Sequence, residues 1–412
     1  SLCMIVKDEA ANLPRCLASV KDLADEIVVV DTGSGDNTPM IAEAAGAKVN
    51  FLMWGDDFAH ARNVSLDQAT QDWILVLDAD ETLSQQGRQL IAMIKQDQPL
   101  GQIKPEDTLL VTMLRQEIGA EQAPYTRVSR LFRNLPEIKF VRPYHEGVDE
   151  SVEVLMAKES HWQIAQFDEV GIGHTGYRVD AIAAKDKFAR AQRIMAAHLE
   201  KHPEDSYIAN KLGALYTQND EWDKALAILT QSLRSGNFDP LTEYELHYHL
   251  GITHRHWVSG SPEKSDGAIA AAEANYRDAI AVPIDPKLKL GAHQNLGALL
   301  MLKGDLDGAM AQYEAAARIA PDQPMAYFNM GVVHRTKGHL EPALRAYEYT
   351  LALDPNYAEA HQNLAVVLFK LGKLPESKRA FEKAIALMEN TDPLASDRLR
   401  QGIKDLGLNA IP

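Results

Sequence analysis

The sequence predicts an α/β Rossmann-like domain with a mixed sheet, followed by an all-α solenoid of helical repeats. Two observations predict it. Over the first half, short uninterrupted apolar runs alternate with helix-spaced segments, and over the second half small and aromatic residues recur every 34 positions. At 412 residues the chain also exceeds what one hydrophobic core usually supports, so more than one domain is expected.

Residues 2–6 (Leu-Cys-Met-Ile-Val) read as a buried strand, and Leu13, Leu17 and Val20 give the next segment a helical spacing opened by Pro14. Glu26 to Val30 is the second strand; it ends in Asp31-Thr32-Gly33-Ser34-Gly35-Asp36, and Thr38 to Ala45 is the helix after that loop. Lys48 to Leu52 is a third strand, and Val64 to Ala69 is a helix with Asn63 placed to cap it. Trp73 to Leu77 is the strongest strand and stops abruptly at Asp78-Ala79-Asp80-Glu81. Leu109 to Leu114, Arg127 to Phe132 and Val152 to Met156 read as mixed or edge strands. Apolar runs separated by helices indicate a sheet buried on both faces, and ligands of such sheets sit beyond the carboxyl ends of the strands.

The conspicuous acids lie at those ends: Glu9 after the first strand, Asp31 after the second, Asp78 and Asp80 after the strongest. Carboxylates gathered at strand ends repel one another unless they share a cation. Asp78 and Asp80 fall on one side of an extended chain, so both could address one divalent ion or its bound ribose and phosphates. A solvated turn or a helix cap is the alternative for an isolated Asp-x-Asp. Arg62 is a fixed cation amid these anions, suited to a diphosphate or a base edge, or else a structural partner for Asp56 or Asp57.

Four ordered segments carry a family resemblance: Leu2 to Glu9, Val29 to Thr38, Asp57 to Asn63 and Trp73 to Glu81. They resemble the family-2 glycosyltransferases of the GT-A fold, especially the bacterial branch that couples this domain to tetratricopeptide repeats and the related peptide glycosyltransferases. The resemblance covers residues 1–180, which sets the expected domains at 1–180 and 181–412. It implies that Asp31 contacts a uracil-type base, that Glu9 lies beside the nucleoside and that Arg62 approaches the nucleotide. It further implies that Asp78 faces the ribose or metal and that Asp80 ligates Mn²⁺ or Mg²⁺. Members of this class transfer a sugar from a UDP-sugar, usually with inversion at the anomeric carbon, and release UDP.

An inverting transfer also needs a base on the acceptor side and a cation for the departing diphosphate. The segment Arg142 to Val148 offers Glu146 as that base, with His145 and Asp149 as competitors and a surface turn held by a Glu-Arg pair as the alternative. Glu146 and Asp80 are thus the expected catalytic pair. In Ile172-Gly173-His174-Thr175-Gly176-Tyr177, the glycines permit close approach to a phosphate-bound ion and a neutral imidazole suits Mn²⁺. This stretch resembles the late His of metal-dependent members, which makes His174 the expected metal ligand beside Asp80 and Asp78.

In the second half, Gly297, Gly331 and Ala365 stand 34 residues apart, as do Ala309, Ala343 and Ser377, and Tyr313, Tyr347 and Phe381. Small residues let paired helices approach, the aromatic fills the space between them, and Pro321 and Pro355 stop the second helices. This is the tetratricopeptide period. More divergent units surround Leu212-Gly213 and Leu250-Gly251, the latter with a longer turn through Ser259-Gly260-Ser261-Pro262. With Asp180 to Leu199 leading and Pro393 to Leu406 closing, about five repeats stack between caps. Asn295, Asn329 and Asn363 recur at one register and suit a peptide backbone running along a groove; they resemble the asparagine ladder of O-GlcNAc transferase. Bonding to neighbouring helices is the alternative.

Charge and cysteine content narrow the function. Of the formal net charge of -16, residues 1–180 carry most, with 16 Lys and Arg against 29 Asp and Glu. That surface offers no footprint for a polyphosphate backbone, so nucleic acid is not an expected partner. Cys3 and Cys16 read as buried free thiols of a reducing compartment, and no apolar run reaches the length of a membrane span, so a cytoplasmic protein is expected. The favoured activity is a metal-dependent, inverting transfer of a hexose or N-acetylhexosamine from a UDP-sugar to a polypeptide held by the repeats. Two alternatives stand beside it. One is the same transfer to a glycan or lipid-linked saccharide, with the repeats used for homo-oligomerisation or partner docking; the other is a non-catalytic nucleotide-binding scaffold.

Overall fold

The computed structural model describes residues 1–120, 123–175, 185–257, 262–389 and 391–408. The chain forms two compact units, Ser1–Thr242 and Glu243–Pro412. The expected domain division at 180/181, residues Gly176 and Tyr177, the opening of the helix expected from Asp180, and the turn at 259–261 lie outside the described residues.

Eight strands build the first unit: β1 (Leu2–Val6), β2 (Ile27–Asp31), β3 (Lys48–Phe51), β4 (Trp73–Val76), β5 (Glu81–Leu83), β6 (Thr108–Glu117), β7 (Tyr125–Arg133) and β8 (Gln163–His174). They form one sheet in the order β3-β2-β1-β4-β7-β6-β8-β5. The four strands of the first half run parallel, and β7 reverses direction beside β4. β6 pairs antiparallel with β7 and parallel with β8, which makes the sheet mixed.

Strand alternation sends side chains to two cores. Leu2, Met4, Val29, Leu75 and Leu77 meet α1 (Leu13–Ser19) and α4 (Gln85–Lys95) through Leu13, Cys16, Leu17, Leu90, Ile91 and Ile94. Cys3, Val28, Ile74 and Val76 meet α3 (Phe58–Leu66) and α5 (Asp149–Lys158) on the other face through Ala59, Leu66, Val152 and Leu155. A further helix, α2, is Thr38–Ala44, and helices Lys185–Lys201, Ser206–Gln218 and Trp222–Ser235 also lie in this unit.

Two local expectations are overturned. Val152–Met156 belongs to helix α5, where Val152 and Leu155, three apart, are buried while Val154 is exposed; that is helical spacing. Asn63 does not cap a helix. α3 begins at Phe58, its cap is Asp57, whose side chain accepts from the His60 amide, and Asn63 instead clasps the Phe140 backbone through Nδ2 to O at 2.9 Å and Oδ1 to N at 2.8 Å.

The second unit pairs helices Leu290–Lys303 with Leu306–Ile319, Pro324–Thr336 with Leu340–Leu353, and Ala358–Lys370 with Leu374–Met388, closed by Pro393–Asp405. A methyl group on Gly331 would lie 2.5 Å from the Tyr347 ring and one on Gly297 2.6 Å from that of Tyr313, so each small residue is the seat of the next helix's aromatic. The asparagine register is tied into the array. Asn295 accepts from Arg255 and donates to the Tyr248 hydroxyl, Asn329 donates to Gln294, and Asn363 donates to the Glu359 carbonyl.

One contact controls how closely α4 approaches β8. A Cβ on Gly87 would stand 2.2 Å from the Gly171 carbonyl oxygen, a backbone atom that cannot swing away. Gly87→Ala is expected to destabilise the first unit by about 1–3 kcal/mol, measured as a lower urea midpoint. An unchanged midpoint would mean that the helix lifts off freely.

Candidate active site

The loops after β1 and β2 are stitched together. Asp8 accepts from the Gly35 amide at 2.7 Å, the Glu9 amide donates to Thr38 Oγ1 at 2.7 Å, and Glu9 Oε2 accepts from Asn12. Asp31 is 1% exposed, and its Oδ1 accepts from the amides of Gly33 and Ser34, both at 2.9 Å. Its Oδ2 is buried without a partner. A buried carboxylate oxygen is costly unless a partner brings it an N–H or O–H donor.

The Asp78-Ala79-Asp80 segment turns rather than extending. The Glu81 amide donates to the Asp78 carbonyl at 3.0 Å, and the Cys16 thiol donates to the same oxygen at 3.4 Å. Asp78 and Asp80 consequently serve different partners. Both oxygens of Asp78 are taken, by Arg62 Nη2 at 2.6 Å and Arg130 Nη2 at 2.7 Å. Asp80 Oδ2 lies 3.2 Å from His174 Nε2, while the Thr175 amide donates to the Asp80 carbonyl.

From Asp78 an alternating chain of charges runs both ways. Arg62 Nε reaches Glu146 Oε1 at 2.5 Å. Arg130 Nη2 also reaches Glu81 at 3.1 Å, Arg115 joins Glu81 to Glu117 at 2.8 Å each, and Glu117 Oε2 meets His174 Nδ1 at 2.5 Å. The sheet register makes the last step possible, because His174 on β8 pairs with Glu117 on β6 and with Glu81 on β5. Glu81 is 0% exposed and Arg62 4%, so these are interior charges.

Burial works against the ionised form of Asp78, but Arg130 and Arg62 outweigh it and hold its carboxyl well below the usual range. Glu117 is likewise lowered against its burial by the His174 hydrogen bond and Arg115. Burial would lower the His174 pKa, yet hydrogen bonds to Asp80 and Glu117 raise it to about 9. Burial pushes the Cys16 thiol far up, reinforced by Glu81, Asp78 and Asp80.

The donor set fits a hard divalent cation. An Asp80 oxygen and a His174 nitrogen converge, and the second imidazole nitrogen is held by Glu117, the outer support that metal-bound histidines use. Among the described residues no three His, Cys, Asp or Glu side chains are arranged to hold a metal ion by themselves. A pair of protein ligands suits Mg²⁺ or Mn²⁺ that takes its remaining oxygens from phosphates and water.

Residues 1–163 match the profile for glycosyl transferase family 2, and residues 179–240, 297–338 and 358–391 match tetratricopeptide repeat profiles. A TPR repeat-containing protein of Synechococcus elongatus is 44% identical over 322 residues, covering 78% of this chain and 75% of the relative. The chain belongs to the family-2 glycosyltransferases that carry tetratricopeptide repeats. An uncharacterised glycosyltransferase of Rickettsia bellii is 31% identical over 45% of this chain and 63% of its own length. The SPbeta prophage-derived glycosyltransferase SunS of Bacillus subtilis is 30% identical over 35% of this chain and 33% of its own. The chain thus spans less than two-thirds of the length of the latter two. The family implies a nucleotide-sugar donor and a divalent metal, and the repeats imply protein–protein contact.

In this glycosyltransferase, then, Asp80 stands with His174, and Arg62, Asp78 and Glu146 stand together. Asp31 and Glu9 occupy the neighbouring strand ends, joined to them through β1, which pairs with both β2 and β4. Sequence reasoning missed Arg115, Glu117 and Arg130 and gave Glu81 no role of its own. A signal was present: Arg115 and Glu117 are two apart, which places both on one face, at the end of a strand whose start, Leu109 to Leu114, is mostly apolar. Replacing Arg130 by Met would leave Asp78 and Glu81 less compensated in the interior. Arg130→Met is expected to cost on the order of 3–5 kcal/mol of first-unit stability, with Arg130→Met/Glu81→Gln recovering part of it in guanidinium unfolding.

Proposed function

We propose that the chain catalyses metal-dependent, inverting transfer of a hexose or N-acetylhexosamine from a UDP-sugar to a polypeptide acceptor held by the repeats, acting in the cytoplasm. The observation that carries this reading is the meeting of Asp80 and His174 across 94 residues of sequence. The β5–β8 register brings the two side chains together, and a carboxylate oxygen beside an imidazole nitrogen is a donor pair that suits a divalent cation. Asp80 and His174 would hold Mn²⁺ or Mg²⁺, with Asp78 facing the ribose or the ion's outer sphere. A bound ion supplies charge for the departing diphosphate.

The remaining roles fall to this chain's own side chains. The open Asp31 Oδ2 accepts from the imide N–H of a uracil-type base, and Glu9 borders the nucleoside. Arg62 faces the nucleotide with Nη1, which is buried and unpartnered. Glu146 accepts the acceptor's proton as the new bond forms; its pairing with Arg62 keeps the carboxylate oriented between uses.

One observation favours the second reading, in which the acceptor is a glycan or lipid-linked saccharide and the repeats dock a partner or a second copy. Asn295 and Asn329 are engaged with neighbouring side chains, so a polypeptide would have to displace those bonds. Replacing Asn295, Asn329 and Asn363 together by Ala separates the two readings. Loss of peptide glycosylation with intact UDP release supports the first, and no selective change supports the second.

The donor chemistry has its own test. UDP release from UDP-glucose and UDP-N-acetylglucosamine should require Mn²⁺ or Mg²⁺ and fall about a hundredfold or more in Asp80→Asn. Full turnover in chelator would remove the metal role. Because His174 is protonated below about 9 and a metal ligand must be neutral, Mn²⁺ titrated with UDP present should bind more tightly at pH 8.5 than at pH 6.5. His174→Asn should flatten that dependence.

A further inference from the structure

Glu146 stands on a loop whose backbone does not favour its own shape. Arg142 and His145 have φ of 73° and 52°, a conformation that strains any residue with a side chain. A bridge between Val141 and Gly147 closes the loop at its base, and the Phe58 amide donates to the Pro143 carbonyl at 2.9 Å. The rest of the restraint comes from helices that follow the sheet.

Arg142 Nε donates to Asp205 Oδ2 at 2.9 Å, its guanidinium lies 4.8 Å from the Tyr207 ring centre, and it also pairs with Glu150. Asp205 is no spare surface acid: its side chain is 13% exposed, His198 Nε2 lies 3.0 Å from the same oxygen, and Oδ1 accepts from the Ile208 amide to cap helix Ser206–Gln218. The preceding helix, Lys185–Lys201, adds Arg190 over the Trp54 and Phe58 rings and Arg193 on Asp56 at 2.8 Å. Phe58 in turn packs edge-on against Tyr144, two residues from Glu146, at 5.2 Å. All of these groups lie in the first compact unit.

We propose that Arg142 is a positioning residue for sugar transfer: anchored on Asp205 at the start of the first repeat, it fixes the 141–147 loop so that Glu146 stays seated beside Arg62. The inference rests on Glu146 acting as the base. A carboxylate displaced by an ångström loses much of its advantage as a proton acceptor, so the anchor acts on turnover and leaves nucleotide binding alone. The first repeat is then part of the active site rather than an appendage to it.

Two variants test this in the full chain. Asp205→Asn keeps a capping side chain but drops the charge that holds Arg142. Arg142→Gly removes the anchor and relieves the backbone strain, which offsets part of the stability lost with its ion pairs. Both should release UDP from UDP-glucose or UDP-N-acetylglucosamine about tenfold to a hundredfold more slowly in kcat, with UDP affinity by calorimetry unchanged. Hydrogen exchange at the amides of residues 144–147 should accelerate in both, while the Asp78–Glu81 turn stays as protected as in the wild type. Wild-type kcat and wild-type exchange in Arg142→Gly would overturn the proposal. Wild-type protein that is inert toward both donors would count against the donor reading instead, and loop exchange would still decide this one.

Discussion

The first unit depends on charge compensation inside the sheet. Four acids, Asp78, Glu81, Glu117 and Glu146, are interleaved with Arg62, Arg115 and Arg130 where solvent screening is weak. Burying any of these ions alone would cost several kcal/mol, and together they satisfy one another. Such a chain stabilises less than it specifies: each guanidinium fork favours one arrangement of its carboxylates, which ties β4, β7, β6, β8 and β5 to the observed register. The candidate site sits at the ends of that chain, where Asp80 and Glu146 reach partly accessible positions.

The arrangement also divides labour between two acids that look equivalent in sequence. Asp78 is the hub of the network, and its oxygens are spent on arginines; Asp80, two residues on, meets His174 at the far end of the chain. The turn at Ala79 makes the difference, because it points consecutive acids toward different strands. Physical chemistry alone would have treated the two carboxylates as one site.

Much of the fold was legible in sequence because its signals are local. Apolar β-branched runs such as Val28-Val29-Val30, closed by a turn, favour buried strand, and the 34-residue register of Gly297, Gly331 and Ala365 fixes helix pairing directly. Glu9, Asp31, Asp78, Asp80 and His174 stood out as candidates because they follow strands or sit beside glycines. Arg115, Glu117 and Arg130 were not, since their meaning lies in pairing between β6, β7 and β8, which no single segment announces. The helix at Asp149–Lys158 was misread as a strand because two valines and a leucine over a few residues satisfy either period. The anchoring of Arg142 was not legible for a related reason, as its partner Asp205 lies 63 positions away.

Cys16 gives the molecule a built-in gauge. Its thiol is sealed beneath the Asp78 turn and far from forming a thiolate, so in the closed state electrophiles find nothing to attack. Labelling at that sulfur would proceed only through transient opening of the layer between α1 and the turn. Its rate would therefore report the local breathing of the candidate site's rim without any turnover being measured.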